Sequence, residues 1–495
     1  MRLLKTSNAA ALAILGLLSV NQSFAQTVTV CTTSADRSSL LEMSVAERPF
    51  GPRQRGKQNA IIVDDRQCYQ TVEGFGFAMT GGSAQHIIGM SQEDRTALLT
   101  QLFGREGGQA GINYIRLTLG ASDMNSFVFS YDDMPEGKED FKLKHFTLAQ
   151  DLKDVVPVMQ EVLKINPDLK ILASPWSAPA WMKESKDVRG GKLRKECYGV
   201  YADYFVKYVQ EMAKKGIRID AVTIQNEPLN NRNTPSMPWT PQEQAEFIGK
   251  YLGPRFEAAG LDTRIILFDH NCDRPDYPLT ILSDPDADKY ASGVAYHHYA
   301  GDMSAMSYTH MARPDVDIYF TEQMTTEHPG SPTINITAPV KRMIVDVMRN
   351  WSRNSILWNL AADSLNDPHT DNGGCSMCQG AITIDNGKLT SYNVAYYTVA
   401  QISRFVPDGS VRIFSTAPQD PAINLFEDEQ GPGVFRAVTS THSDVLPNVA
   451  FKTPEGKIVL LVVNNTDSWK TVKIQYNGKF FDSFLDSGSV ATYIW

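Results

Sequence analysis

The chain has 495 residues, 42% hydrophobic and 10% aromatic, with 47 basic and 56 acidic side chains giving a formal charge of −9. That length buries one large core and a smaller second one, and the acidic balance makes nucleic acid and anionic membrane surfaces poor partners. Neutral sugar polymers fit such a surface without electrostatic cost.

Residues 1–25 carry Arg2 and Lys5, an apolar stretch from Ala9 to Val20, and Ser23-Phe24-Ala25 before Gln26. This is the pattern of a cleaved signal peptide, too short and too weakly flanked to be a membrane anchor. A secreted or periplasmic protein with no integral membrane association is expected. Cys31 follows Val30 rather than a small residue, which argues against a lipoprotein anchor there.

From residue 26 to 68 the chain reads as strands, and from 69 to 406 short apolar runs alternate with helical patterns. Eight runs are expected as strands: 72–79, 114–120, 170–177, 221–227, 264–270, 293–299, 317–323 and 355–361. Alternation of this kind marks βα units, and eight strands close a barrel. Between the third and fourth runs, Val200, Tyr201, Tyr204, Phe205, Tyr208, Val209 and Met212 recur at helical spacing before Gly216, an aromatic stripe expected in the core. The next helix is expected to start at Thr240, with Pro241 first and Glu243 completing a capping box, and to end near Gly260. Residues 407–495 return to alternating segments such as Ile458–Val463 and Ser489–Ile494, broken by Asn, Gly and Asp turns. The expected fold is α/β: a (β/α)8 TIM barrel with a β-sandwich formed from both ends of the chain.

Active sites of such barrels lie at the C-terminal strand ends, and these ends are unusually polar here. Ala221-Val222-Thr223-Ile224 leads into Asn226-Glu227-Pro228, and Asp317-Ile318-Tyr319-Phe320-Thr321 leads into Glu322. Two carboxylates facing each other across the mouth are what a glycosidase needs, one to protonate the leaving oxygen and one to attack or stabilise the sugar. Asp123, Trp176, Trp181, His298, Tyr299, Trp358 and Asn359 also fall near strand ends. Adjacent strand residues point to opposite faces, so His297 and His298 do not suggest a metal pair, and no metal or cofactor is expected. No Gly-x-Ser-x-Gly elbow of a serine esterase occurs. Of six cysteines, Cys375 and Cys378 form the best local pair for a loop disulfide, with two free thiols as the alternative. The loop 363–380 that carries them follows the eighth strand and is expected to line the cleft on its leaving-group side.

Five ordered motifs resemble glycoside hydrolase family 30, the glucosylceramidase and β-1,6-glucanase family: Glu73–Thr80, Ala173–Lys183, Ala221–Pro228, Tyr319–Gln323 and Trp358–Ala361. The resemblance implies a retaining mechanism with Glu227 as acid/base and Glu322 as nucleophile. It implies that Asn226 bonds the sugar 2-hydroxyl, that Asp123 and Trp181 hold distal hydroxyls, and that Trp358 supplies the apolar floor. His298 stands where the family commonly has a tryptophan, beside Tyr299, which would hydrogen-bond Glu322. Arg116 is expected either to keep Glu322 ionised or to serve as a plain structural salt bridge. Acid catalysis by Glu227 leads to the expectation of a raised pKa. The expected substrate is a β-glucan or β-glucoside, above all β-1,6-linked glucan. A glucosylceramide-type lipid is next, then xylan or fucosides, and last a catalytically inactive glycan-binding protein.

Overall fold

The structure is a computed structural model describing residues 27–46, 49–52, 60–416 and 446–495. The expected signal peptide, residues 1–25, lies outside the described residues. Eight parallel strands form the barrel: β1 Gly74–Met79, β2 Tyr114–Thr118, β3 Lys170–Ser174, β4 Ala221–Thr223, β5 Arg264–Cys272, β6 Ala291–Gly301, β7 Asp317–Glu322 and β8 Asn354–Leu357. Each pairs with its sequence neighbour from β1 to β7, and β8 pairs with β1. Between β7 and β8 the seam is closed by a parallel bridge from Ile318 to Ser352 and by the Phe320 amide donating to Asn354 Oδ1 at 2.8 Å.

Six of the observed strands are shorter than expected, while β5 and β6 run two residues or more beyond their expected bounds. β4 ends at Thr223, so Glu227 stands in the turn after the strand rather than within it. At the opposite end of the barrel Tyr114, Leu172, Ala221, Ile266, Ala295, Tyr319 and Ile356 fill the interior. With that end packed solid, polar side chains are left to the other mouth.

Helices cover the outside. The aromatic stripe lies on Tyr198–Lys214, its tyrosines and Phe205 buried as core. Thr240 caps Pro241–Phe247 with both arms of the capping box, and the helix continues through a wider π turn to Ala258, two residues before Gly260.

Strands from both chain ends make one nine-stranded sheet, with Thr29–Thr33 between Ser489–Ile494 and Glu42–Val45, and Ile61–Thr71 between Lys470–Tyr476 and Val411–Ser415. Ile458–Asn464 is buried throughout, and its alternation explains why. Ile458, Leu460 and Val462 face the sandwich interior with Val30, Ile474 and Phe481, while Val459, Leu461 and Val463 belong to the barrel's core. A strand buried on both sides reads as a continuous apolar run. Gln401, on the last barrel helix Val394–Ser403, fastens the two parts: its Nε2 donates to Cys31 O at 2.9 Å and to Thr492 Oγ1 at 3.0 Å.

Candidate active site

Arg116, fully buried on β2, is the hub of the polar mouth. Its Nη1 donates to Glu322 Oε2 at 2.6 Å, its Nη2 to Asp269 Oδ2 at 2.7 Å and Asn226 Oδ1 at 2.8 Å, and its Nε to Ser174 Oγ at 3.1 Å. It therefore touches groups from β3, the turn after β4, β5 and β7 at once. The expected pairing with Glu322 is present. The bond to Asn226 fixes that amide and leaves its nitrogen without a partner among the described residues, the end suited to a sugar hydroxyl.

Glu227 and Glu322 face each other as expected, and ligand atoms of Glu227, His297 and Glu322 all lie within 4.8 Å of one another. Carboxylates that close leave no room for a water between sugar and base, which is the retaining geometry. Glu227 sits at φ 48°, in the left-handed region, with its amide tied to Asp269 O at 3.0 Å. Phe268 and Asp269 also have positive φ, where the pairing of β5 with β6 shifts register. That bulge turns Asp269 into the barrel instead of along the pleat.

Tyr299 donates from its hydroxyl to Glu322 Oε1 at 3.1 Å while its ring edge is exposed at the rim. Asn230 donates to Glu227 Oε2 at 2.7 Å. His297 bridges the two sides, with Nδ1 at 3.1 Å from Glu227 Oε1 and Nε2 at 3.0 Å from Asp269 Oδ1. Burial disfavours its charge, but Glu322 and Asp269, with the hydrogen bonds to Asp269 and Glu227, outweigh burial and lift its pKa to about 9. Both nitrogens then donate. The compact Glu227, His297 and Glu322 cluster would suit a cation by distance alone, yet the imidazolium has no lone pair to offer one.

The expectation of a raised pKa for Glu227 is corrected. Burial does push it up, but the His297 hydrogen bond, the charges of His270 and His297 and the Asn230 bond prevail, holding it down at about 2 in the free site. His270, with Nε2 at 3.8 Å from Glu227, is itself kept neutral by burial, its pKa down at about 4. Glu322 moves the other way: burial and the Glu227 charge raise it against the pull of His297 and Arg116. His297 therefore holds a proton in the free site, one hydrogen bond from Glu227.

A cleft of about 600 Å³ opens over the pair, bounded by Asp123, Trp176, Asn230, Tyr299, Met324 and Trp358 among others. Its size is that of a small-ligand site. Trp176 and Trp358 lie 5.4 Å apart at 30° and form the aromatic floor. Asp123 Oδ1 and Trp176 Nε1 are buried there with no hydrogen-bond partner among the described residues. Two buried polar atoms left unpaired beside a cleft are suited to ligand hydroxyls. Burial, together with the charges of Glu322 and Glu227, lifts the Asp123 pKa to about 8, so its carboxyl is protonated near neutrality.

Two expected sugar contacts are not in the cleft. Trp181 lies on the short 3-10 turn Ala180–Met182, packs edge-on against Phe141, and spends its Nε1 on Asp132 O at 2.9 Å. Trp176, five residues earlier in the same motif, takes the cleft position. His298 points away, Nε2 at 3.3 Å from Gly301 O, because the strand's alternation puts His297 inside. Asp269, His297 and Asn230 were not among the expected site residues; the polar run Asp269-His270-Asn271 at the end of β5 was the signal for the first.

The loop after β8 contributes Gly373, Gly374, Cys375 and Cys378 to the cleft wall. Cys375 and Cys378 are disulfide-bonded, and Cys31, Cys68, Cys197 and Cys272 are free. Gly374 sits where a Cβ would meet Thr370 O at 2.2 Å and Asp123 O at 3.0 Å, so the loop presses against the strand-two side of the site.

Comparison with known proteins bears on this arrangement. Residues 72–406 match the family model described as the glycosyl hydrolase family 30 TIM-barrel domain, and residues 434–493 match the family 30 beta sandwich domain. The chain is 32% identical to endo-1,6-beta-D-glucanase neg1 of Aspergillus fumigatus over 489 residues, 94% of this chain and 93% of that one. It is 27% identical to the lysosomal acid glucosylceramidase of Mus musculus over 489 residues, 93% of this chain and 88% of that one. A solved structure titled the endo-beta1,6-glucanase BT3312 superposes with a TM-score of 0.82 at 30% identity, covering 95% of this chain and 99% of that chain.

Three outcomes are expected of this site. Glu322→Gln should lower turnover of an aryl β-glucoside by more than about 10³-fold; survival within tenfold would remove it as nucleophile. Both tryptophans are buried, so either change to Ala should destabilise by about 3 kcal/mol, but at a temperature where both variants are folded Trp176→Ala should cut kcat/KM at least about tenfold while Trp181→Ala leaves it near the parent's; the reverse pattern would restore Trp181 to the cleft. Finally, a histidine pKa raised on folding stabilises fully below its unfolded value near 6.5 and loses that contribution as pH rises through about 9. The gap in melting temperature between the parent and His297→Gln should therefore shrink over that window, and a constant gap would show His297 to be uncharged.

Proposed function

The chain belongs to glycosyl hydrolase family 30, and on that premise we propose that this retaining β-glycoside hydrolase acts on β-1,6-linked glucan. The observation that carries the linkage is the similarity, over nearly the whole chain, to two β-1,6-glucanases at 30% identity or above. The identity to the glucosylceramidase is lower, which makes hydrolysis of β-glucosyl lipids the second reading.

In the first step Glu322 attacks the anomeric carbon while Glu227 protonates the departing oxygen. The proton held by His297 reaches Glu227 along the 3.1 Å hydrogen bond as the leaving oxygen approaches. Glycosylation of Glu322 removes one negative charge, and Glu227 then takes a proton from water as it attacks the ester. Asn226 and the pair Asp123 and Trp176 hold hydroxyls of the reacting sugar. Action outside the cytoplasm is part of the proposal, supported by the leader pattern of residues 1–25 and by the Cys375–Cys378 disulfide, which persists best in an oxidising compartment.

The test is a product profile on β-1,6-glucan, β-1,3-glucan, gentiobiose, xylan and glucosylceramide. A ladder of oligosaccharides from β-1,6-glucan is expected. Activity confined to the lipid would replace the proposal with the second reading.

A further inference from the structure

We propose that Trp469 and Phe484 form a second, non-catalytic glucan-binding site on the β-sandwich, an inference that rests on the polysaccharide reading above. Trp469 immediately precedes the strand Lys470–Tyr476, and Phe484 lies on its antiparallel neighbour Lys479–Leu485, the outermost strand of the nine-stranded sheet. The two side chains are 62% and 73% exposed, in a chain whose other tryptophans are mostly buried. Their ring centroids are 5.6 Å apart, with planes at 73°.

The strand pattern makes this a built outer face rather than a frayed one. Val472, Ile474, Phe481 and Leu485 turn inward to the sandwich core. Thr471 stands directly opposite Phe484, and Lys473 opposite Asp482, so hydroxyl, ammonium and carboxylate groups flank the rings. Aromatic faces bordered by hydrogen-bonding side chains recognise pyranose rings, whose C–H faces are apolar and whose rims are polar.

Area decides against a protein partner. The two rings expose on the order of 300 Å², well below the roughly 800 Å² per side of a stable protein interface. The angle narrows the ligand further. Rings at 73° cannot both lie along one flat ribbon, whereas a (1→6) linkage has an extra rotatable bond that lets successive sugars turn and seat one on each face.

The site is remote in sequence from the catalytic cleft, none of whose lining residues lies beyond Cys378. It would hold polymer without touching the reacting bond.

The measurement is the affinity of the full-length Glu322→Gln protein for soluble glucans in native gels containing β-1,6-glucan or β-1,3-glucan. Adding Trp469→Ala and Phe484→Ala is expected to raise the apparent Kd for β-1,6-glucan about tenfold. The same two substitutions in the active enzyme should leave aryl β-glucoside turnover and the melting temperature unchanged, and Trp469→Phe should retain binding. Equal affinity of parent and double variant for every glucan would overturn the site. So would a parent dimer that the double variant splits with no change in glucan affinity. Because binding and cleavage are read separately, ring-dependent binding with cleavage of a different linkage would sink the proposed substrate and leave this site standing.

Discussion

One buried guanidinium organises the mouth of the barrel. Arg116 has lost all its hydration, which is costly unless every donor finds an acceptor of good geometry. Glu322, Asp269, Asn226 and Ser174 supply acceptors for four of its five N–H groups, and in doing so four different parts of the barrel become fixed relative to one another. Removing either carboxylate would leave positive charge under-compensated in the interior. The cation thus defines where the nucleophile can be.

Charge counting connects this hub to the chemistry. Arg116 and His297 face three carboxylates, Glu227, Asp269 and Glu322, so acidic groups outnumber basic ones in the mouth. A site with that excess favours the positive charge that develops on the sugar as its glycosidic bond breaks. The left-handed backbone at Asp269 and Glu227 belongs to the same arrangement, since non-glycine residues adopt it at a cost that the surrounding bonds must offset. Their bonds are mutual: the Glu227 amide donates to Asp269 O, and His297 joins both carboxylates.

How much of this was legible in the sequence depended on whether local pattern or tertiary packing decided it. Glu227 and Glu322 were visible because apolar runs point at them, and the pairing of Arg116 with Glu322 followed from both residues belonging to barrel strands. Strand parity showed that only one of His297 and His298 could face inward; the expectation fell on His298, and the structure turns His297 inward instead. Trp176 and Trp181 share one motif, and the 3-10 turn that sends the second away from the cleft carries no strong signal of its own. Asp269 was hidden by a bulge. The depressed pKa of Glu227 could not be anticipated without His297 in place, since it arises from a neighbour 70 residues away in the chain.

The interleaving of the two chain ends has a consequence for how the molecule is made. Thr29–Thr33, near the beginning of the described chain, has Ser489–Ile494 as its neighbour, and Gln401 of the barrel binds both. The sheet cannot be completed until Ser489–Ile494 has left the ribosome, however early the barrel strands emerge. Contacts this distant in sequence also make for slow closure. The nascent barrel must therefore wait with the apolar surface later covered by Val459, Leu461 and Val463 still bare, and a ribosome stalled shortly before residue 489 would leave a catalytic domain without its final wall.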